Sequence, residues 1–459
     1  MDTHFDVVIL GAGLTGLSTS YYLNKAGLKI KVIDIKPNVG GVISTRQKNG
    51  FLFESGPNTG ILGSTEIAEL FEELQPDCQI ELGNNNMTKR FILHKAKWQP
   101  LPAGLKQAIT TPLFSFRDKL RILGEPFRKA GKDENETLAG LVKRRMGKSF
   151  LDYAIDPFIL GVYAGDPSYL VTKYALPKLY NLEQTYGSFI GGSVRKMFVT
   201  KTEAEKKATR KIFTIKGGLG QLINSLYQKV GADNFMLGVK NITINEGETG
   251  FTIDFVDENE QAVQITANKV VTTIPAFNLN EVLPFVEQKL LADVQNVYYA
   301  PVVEVAIGFN KWKGIPLDGF GGLIPYVENR DILGVMYMSS LFENRAPKEG
   351  ALISVFIGGA RKPGLTQLSD DEIKALVKRE FKELMGVNDF NPDLFEISWH
   401  LRAIPQYGKE SKERFEAVDK IQSNFKGLLI GGNLHGGIGM ADRVKQGKLL
   451  ADTVINGLM

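Results

Sequence analysis

Val7-Val8-Ile9-Leu10-Gly11-Ala12-Gly13-Leu14-Thr15-Gly16 is an apolar run that ends in a glycine-rich turn. A second apolar run, Ile30-Lys31-Val32-Ile33, ends at Asp34. Strand, turn, helix, strand and acid in this order form the dinucleotide-binding fingerprint. Gly11 permits the tight turn, Gly13 lets a pyrophosphate come close to the backbone, and Gly16 lets the helix lie against the strand. The helix dipole and its free N–H groups then face the phosphates. Asp34 is placed to accept hydrogen bonds from a ribose hydroxyl. A GxGxxG alone is compatible with any strand–turn–helix; the acid in register makes dinucleotide binding the reading.

Working outward, 459 residues suffice for two or three cores at ~150 residues per domain. A hydrophobic content of 43% with 23% charged residues is that of a soluble globular chain. No apolar stretch approaches the ~20 residues that span a bilayer, and the start already reads as the first strand, so no leader is expected. The single cysteine, Cys78, excludes an internal disulfide and a cysteine-ligated cluster, and points to a reducing, cytoplasmic compartment. Four scattered histidines offer no ligand spacing, so no metal is expected. The net charge of +4 is unevenly spread: residues 89–132 hold eleven Lys/Arg against Asp118 and Glu125. Such a segment invites an anionic partner, a membrane surface or an acidic substrate. No nucleic-acid module accompanies it, so nucleic acid is not expected.

The dinucleotide unit takes about the first eighty residues. A turn-rich strip, Gly83-Asn84-Asn85-Asn86, leads into a basic hairpin, Arg90-Phe91-Ile92-Leu93 and Trp98-Gln99-Pro100-Leu101. Residues 103–185 read as mostly helical and 195–211 as a solvated loop before a helix starting at Gly217-Gly218-Leu219-Gly220. Strands return at Lys240 to Ile244, Phe251 to Val256 and Lys269 to Pro275, and several more lie within 297–360. Residues 369–386 predict a helix with acids at its start. Gly427-Leu428-Leu429-Ile430-Gly431-Gly432-Asn433 predicts a strand ending in glycines, followed by a helix from about Asp442 to Asn456. A second nucleotide-facing element so late in the chain predicts a domain assembled from separated pieces, with another inserted between them.

Three further elements favour FAD over NAD. Gly40-Gly41 lets the chain pass close to a long cofactor. Phe53-Glu54-Ser55-Gly56-Pro57-Asn58 is a strand turning sharply, and Gly436-Gly437-Ile438-Gly439-Met440 follows the closing glycines. Each alone reads as a turn; in this order they resemble the flavin amine oxidase superfamily along the whole chain. Arg90-Phe91, Leu101-Pro102-Ala103-Gly104, Gly161-Val162-Tyr163-Ala164-Gly165-Asp166-Pro167, Glu183 with Tyr186-Gly187-Ser188, Gly319-Phe320-Gly321-Gly322-Leu323-Ile324-Pro325 and Ala403-Ile404-Pro405-Gln406-Tyr407 resemble its protoporphyrinogen oxidase group.

The resemblance implies an α/β fold of the α+β kind: a discontinuous Rossmann-like FAD-binding domain (1–83, 205–290, 421–459), an inserted mixed-sheet substrate domain (84–106, 182–204, 291–420) and a helical subdomain (107–181). It implies that Gly11, Ala12, Gly13, Leu14, Thr15, Gly16 and Asp34 hold the ADP half of FAD. Gly40, Gly41, Val42, Gly56, Pro57, Asn58 and Thr59 line the cofactor's path. Ile242 meets adenine through its backbone, and Trp399, Ile438, Gly439 and Met440 meet the flavin. Arg90 pairs with a propionate, while Phe320, Leu323, Phe356 and Ile404 clamp the macrocycle. A porphyrinogen is an apolar disc with carboxylates on one edge, so apolar walls and a guanidinium suit it. Without the resemblance, Phe320, Leu323 and Phe356 read as core packing and Arg90 as part of a solvated basic face.

The implied reaction is oxidation of protoporphyrinogen IX to protoporphyrin IX in three two-electron rounds, with dioxygen as acceptor and hydrogen peroxide released. Flavin N5 does the chemistry, and no catalytic acid or base is assigned; His435 lies near the flavin segment. Cys78 is far from the closing glycine run, so FAD is expected to be non-covalent. Asp34 stands where many members have Glu, Val42 where Arg, Lys or Trp is frequent, and Asn58 and Leu160 where mitochondrial members carry arginines. Those losses of charge leave the four-carboxylate coproporphyrinogen III as a rival substrate. A flavin amine oxidase is a more remote rival, because Gly439-Met440 offers no aromatic cage; a non-catalytic flavoprotein is another. The basic stretch 103–132 reads either as a peripheral contact with the inner face of the cell membrane, passing substrate to the next heme-pathway enzyme, or as a solvated helix pair. A homodimer is the expected assembly.

Overall fold

The computed structural model describes residues 3–198, 200 and 202–457. His4–Leu10 and Ile30–Asp34 are runs of β-branched and leucyl residues, the composition of strands covered on both faces. They pair in parallel, Val7 opposite Ile30. Phe235–Leu237 extends the sheet past Ile30–Asp34, and Ala262–Thr272 lies on the other side of His4–Leu10. That long strand has two partners in succession. Its first half pairs antiparallel with Gly250–Val256, which continues to Lys240–Gly247; its end, Val270 to Thr272, pairs in parallel with Leu428–Ile430. Both ends of the chain thus share one sheet. The helix Met440–Asn456 lies on Leu14–Lys25. Gly447 allows their close crossing, since a Cβ there would meet Thr15 O at 2.8 Å.

The second large sheet runs Leu394–Pro405, Tyr299–Phe309, Ala351–Gly358, Gly334–Tyr337, Gly321–Leu323, Arg90–His94, Lys97–Pro100. One face is covered by the helix Asp370–Leu384, whose Ile373, Val377 and Phe381 pack on Val303, Val305 and Ile307. Ser369 and Glu372 close that helix's start reciprocally. The other face turns to the nucleotide half, where Phe51 and Phe53 pack on Ala306, Leu352 and Leu394. The architecture is the α/β arrangement expected, two seven-stranded sheets of mixed pairing and two small sheets with helices around them.

The intervening helices, Phe116–Leu123, Leu138–Arg145, Asp156–Tyr163, Pro177–Tyr186 and Phe189–Met197 among them, are tied by buried charge. Arg145 is fully buried and donates to Glu125 (2.5 Å) and Glu183 (2.8 Å). Arg144 joins Glu183 to Glu136. Burial would push the Glu125 carboxyl up, but the Phe189 and Ile190 N–H groups, the Ser188 hydroxyl and Arg145 outweigh it and hold it low. The outer surface exposes Ile109, Phe116, Leu120, Leu123 and Phe127, the last 91% accessible, beside the basic residues of 106–132. No helix among the described residues is long and apolar enough to cross a membrane.

The GVYAGDP run is the hinge-pin of this packing. Ala164 adopts a left-handed φ of 47° and its carbonyl accepts the Ala360 N–H (2.7 Å). Tyr163 O accepts from Gln406 (2.9 Å), and Asp166 binds Arg361 (2.9 Å). The segment 195–211 differs from the loop expected. The helix Phe189–Met197 runs into it, and Glu203–Lys207 forms a short helix because Thr202 and Glu205 cap it reciprocally; residues 199 and 201 lie outside the described residues. Helices Thr65–Glu73, Gln288–Gln295 and Ser411–Asn424 go beyond the sequence reading.

Candidate functional site

Three glycine loops meet at the carboxyl end of the first strand. Gly11 has φ +97°, and a Cβ on Gly16 would sit 1.9 Å from Gly11 O, so helix and turn touch only because both are glycines. Gly40 donates to Ala12 O (2.8 Å), and a Cβ on Gly41 would lie 3.2 Å from Gly13 Cα. A Cβ on Gly56 would collide with Val42 O at 2.1 Å. The segments 11–13, 40–42 and 56–58 therefore form one continuous backbone surface. Pro57 and Thr59 flank it half-buried, and the Val42 side chain is exposed.

Leu14–Lys25 starts at Gly13 with no side-chain cap and no acid in its first turn, leaving its positive end, from Leu14 to Gly16, for an anion. The Asp34 carboxylate accepts the Ala12 N–H (2.7 Å) and the Lys36 N–H (2.8 Å), one on each oxygen, and each oxygen keeps a lone pair. Ile242 lies close by: Val239 donates to Asp34 O (3.3 Å), and the ladder skips from Lys240 to Thr243, leaving Asn241 and Ile242 without ladder partners. A strip of backbone with donors at a helix start and an acid beside it fits a dinucleotide.

The residues expected to clamp a substrate come together on the face of the second sheet turned to these loops. Residues paired across strands share a face. Ile92, Leu323, Gly334, Phe356, Glu304 and Ser398 form one row across six strands. Arg90 begins the next row, opposite Gly321, with its guanidinium 5.6 Å from the Phe320 ring centre. Ile404, opposite Ala300, packs with Phe356 on the cluster of Leu160, Ala300 and Val302. A Cβ on Gly161 would strike Leu323, so the GVYAGDP helix seats directly on this row. Trp399 is not brought to that face: it pairs with Val303 on the opposite one. Its neighbour His400 pairs with Val302 on the site's face, and burial together with the Lys36 charge pushes its pKa down, keeping it neutral.

Glu304, which the sequence reading passes over, is 3% exposed. It is the one charged residue in a strand buried along its whole length, a signal present in the sequence as a break in Pro301-Val302-Val303-Glu304-Val305-Ala306. It accepts from Asn58 Nδ2 (2.6 Å), and Ser354 donates to Asn58 Oδ1 (2.7 Å). Asn58 is thereby turned into the sheet. A separate cleft of about 450 Å³ lies between the helices and the sheet, lined by Lys143, Lys148, Asp152, Asp156, Tyr326 and Arg361. Its charges are largely matched internally, Lys148 with Asp152 and Arg361 with Asp156.

The closing glycine run bridges the halves. Ile438 packs on the helical core and Met440 on the nucleotide core, while the exposed Gly439 donates to Asp442 (3.1 Å). His435 is a structural residue here: its Nε2 meets Ile430 O (2.9 Å) and its Nδ1 faces Gln446 Nε2 (3.3 Å), and burial pushes its pKa down.

The sequence profile of a family described as flavin containing amine oxidoreductase matches residues 14–455. Protoporphyrinogen oxidase 2, chloroplastic/mitochondrial, of Arabidopsis thaliana is 30% identical over 481 residues, covering 98% of this chain and 94% of its own. Coproporphyrinogen III oxidase of Bacillus subtilis (strain 168) is 24% identical over 461 residues and 96% of each chain. A crystal structure from Exiguobacterium sp. 255-15 superposes with a TM-score of 0.82 at 20% identity over 100% of this chain and 99% of its own, a likeness of fold.

Proposed function

Because the chain belongs to the flavin containing amine oxidoreductase family, we propose that it oxidises protoporphyrinogen IX to protoporphyrin IX. It is an FAD-dependent oxidoreductase. The observation that carries the substrate is Arg90 seated over Phe320 at the edge of a sheet face bearing Leu323 and Phe356, with Ile404 beside it. The apolar face accommodates a disc and excludes water; the guanidinium holds a carboxylate on its rim. Over three rounds six hydrogens leave the macrocycle, and three dioxygen molecules become three hydrogen peroxides. FAD, when bound, supplies the two-electron acceptor for each round.

Gly11, Gly13 and Gly16 with Ala12, Leu14 and Thr15 would hold the pyrophosphate, and Asp34 the ribose. Gly40 to Val42 and Gly56 to Thr59 would line the cofactor's length, with Ile242 at adenine and Ile438, Gly439 and Met440 assigned to the flavin. Cys78 is buried in the nucleotide core with its thiol pushed up to about 12, which supports a non-covalent flavin. The same reading keeps the three-part division into FAD-binding, substrate and helical units. The exposed apolar residues of Phe116–Leu123 among Lys and Arg support a peripheral contact with an anionic inner membrane face, where product passes to the next enzyme. A cytoplasmic homodimer completes the proposal.

The similarity to the Bacillus subtilis relative favours coproporphyrinogen III as a second reading. Asn58 is committed to Glu304 and Ser354, and Leu160 is apolar and buried, which favours the substrate with fewer carboxylates. Aerobic turnover of both porphyrinogens side by side, read by product fluorescence, tests this: a higher kcat/KM for protoporphyrinogen is expected, and no fluorescence from either overturns it.

A further inference from the structure

Behind the closing glycine loop stand two buried guanidiniums without carboxylate partners. Arg414 is 1% exposed and Arg443 8%. Among the described residues neither has an ion pair within 4 Å. Arg443 donates to Gly432 O, to Gln446 Oε1 (2.7 Å) and to His435 O (2.9 Å), and its Nε has no partner. Arg414 donates to Leu434 O (3.1 Å), Asn296 O (3.4 Å) and Ser411 Oγ (3.0 Å). The Tyr407 hydroxyl lies 3.1 Å from Asn433 O and 3.2 Å from Gly437 O.

Five carbonyls of one short loop, those of Gly432, Asn433, Leu434, His435 and Gly437, thus accept from Arg443, Arg414 or Tyr407. In a trans peptide the following N–H points the opposite way. Among the described residues the N–H groups of Leu434, Gly436 and Ile438 meet no acceptor. The loop thus keeps N–H groups free of a protein acceptor while the two guanidiniums stand against its carbonyls. Asp442 lends Arg443, and Glu410 lends Arg414, a counter-charge at a distance without forming an ion pair, and the Tyr407 and Phe415 rings face Arg414 at 5.5 and 5.2 Å. Burial pushes both guanidinium pKa values down, yet arginine keeps its charge in proteins. A buried cation without a direct carboxylate partner is costly, so the arrangement favours an electron-rich group against the loop's free N–H groups.

We propose that Arg443 and Arg414 are positioning residues whose incompletely paired charge is matched by the electron-rich pyrimidine edge of the flavin, and that they raise its reduction potential. The inference rests on the flavin reading of the loop and deepens it. Its probe is sulfite, whose sulfur lone pair forms a bond to flavin N5 and leaves the resulting negative charge on the pyrimidine half of the ring, with no other reactant.

The test compares the holoenzyme with Arg443→Met, Arg443→Lys and Arg414→Met. It measures the dissociation constant of the sulfite adduct and the two-electron midpoint potential against a redox dye. Arg443→Met should weaken sulfite binding at least tenfold and lower the potential by about 30 mV, the equivalent of a tenfold change for a two-electron couple. Arg443→Lys should recover most of both. If Arg443→Met does not retain flavin, Arg414→Met carries the same expectation. Unchanged potential and sulfite affinity in the flavin-loaded Met variants would overturn the proposal, as would equal shifts in the Met and Lys variants of Arg443. Neither readout uses a porphyrinogen, so failure of the substrate reading leaves this result intact.

Discussion

The side-chain amide of Asn58 donates to the Glu304 carboxyl at 2.6 Å, joining the Gly56–Asn58 turn to the mixed sheet. Its second amide hydrogen serves Gly56 O (3.1 Å), and its oxygen takes the Ser354 hydroxyl. Both donors are spent, so Asn58 is a strut between the halves. Burial is the main force on Glu304 and raises its pKa to about 8, against the relief given by Asn58 and the Gly56 N–H.

The sign of the pH dependence follows. With the folded pKa near 8 and the ordinary value 4.5, the folded state holds a proton that the unfolded chain releases. This contribution is fully present below about pH 4.5 and is lost as pH rises towards 8. Glu304→Gln should remove that loss, flattening stability between pH 5 and 8 by up to about 1.4 kcal/mol per pH unit. Urea denaturation of both proteins across this range checks it; parallel curves would show that Glu304 does not titrate there.

Gly13 and Gly16 should respond differently to alanine. A Cβ on Gly13 would lie 4.0 Å from Gly41 Cα, and its φ of −77° is ordinary. Gly13→Ala should fold with unchanged apoprotein stability and lose FAD affinity. Gly16→Ala should lower the melting temperature as well, because its methyl group overlaps Gly11 O. Thermal melts and flavin titration of the two apoproteins separate these outcomes.

Arg90→Ala should raise the KM for porphyrinogen roughly 10- to 100-fold, the worth of about 1.5–3 kcal/mol for a hydrogen bond to a charged group. Bound flavin should stay stoichiometric, because Arg90 sits over Phe320 in the sheet, away from the glycine loops. Steady-state kinetics with a flavin absorbance ratio gives both numbers.

Arg145→Met strands Glu125 in the helical core and leaves Glu183 to Arg144 alone, and both carboxylates are essentially fully buried. Loss of one partner of a buried ion pair costs about 3–5 kcal/mol. A large fall in unfolding free energy is expected, and replacing Glu125 and Glu183 with Gln in the same background should restore part of it.

Replacing Phe116, Leu123 and Phe127 with Ser should abolish co-sedimentation with anionic vesicles at low salt, while the unaltered protein binds. These side chains are exposed, so stability should change little. Absence of binding by the unaltered protein would remove the membrane contact from the functional reading.

The first sheet was legible because its signals are local. Gly11, Gly16 and Asp34 declare a turn, a close approach and an acid within one unit, and the strand and helix edges fall within a few residues of expectation. The helix Ser411–Asn424 was not, because polar residues outnumber the apolar ones along it and its burial comes from contacts made far away in sequence. The motifs from Arg90 to Ile404 mark residues that the fold gathers around one sheet face. Glu304, Arg414 and Arg443 were harder: their significance lies in partners, and in partners withheld, that only the folded chain assembles. Trp399 shows the limit from the other side, since one residue of register decides which face a strand residue takes.

The shared strand Ala262–Thr272 also sets a timetable. During synthesis its end, Val270 to Thr272, emerges long before Leu428–Ile430, the strand that covers it. At the usual pace of elongation that interval is on the order of ten to thirty seconds. Until the last helix clears the ribosome and settles on Leu14–Lys25, the nascent nucleotide fold carries an open sheet edge, and its window for chaperone capture or misassociation is fixed by the length of the insertion.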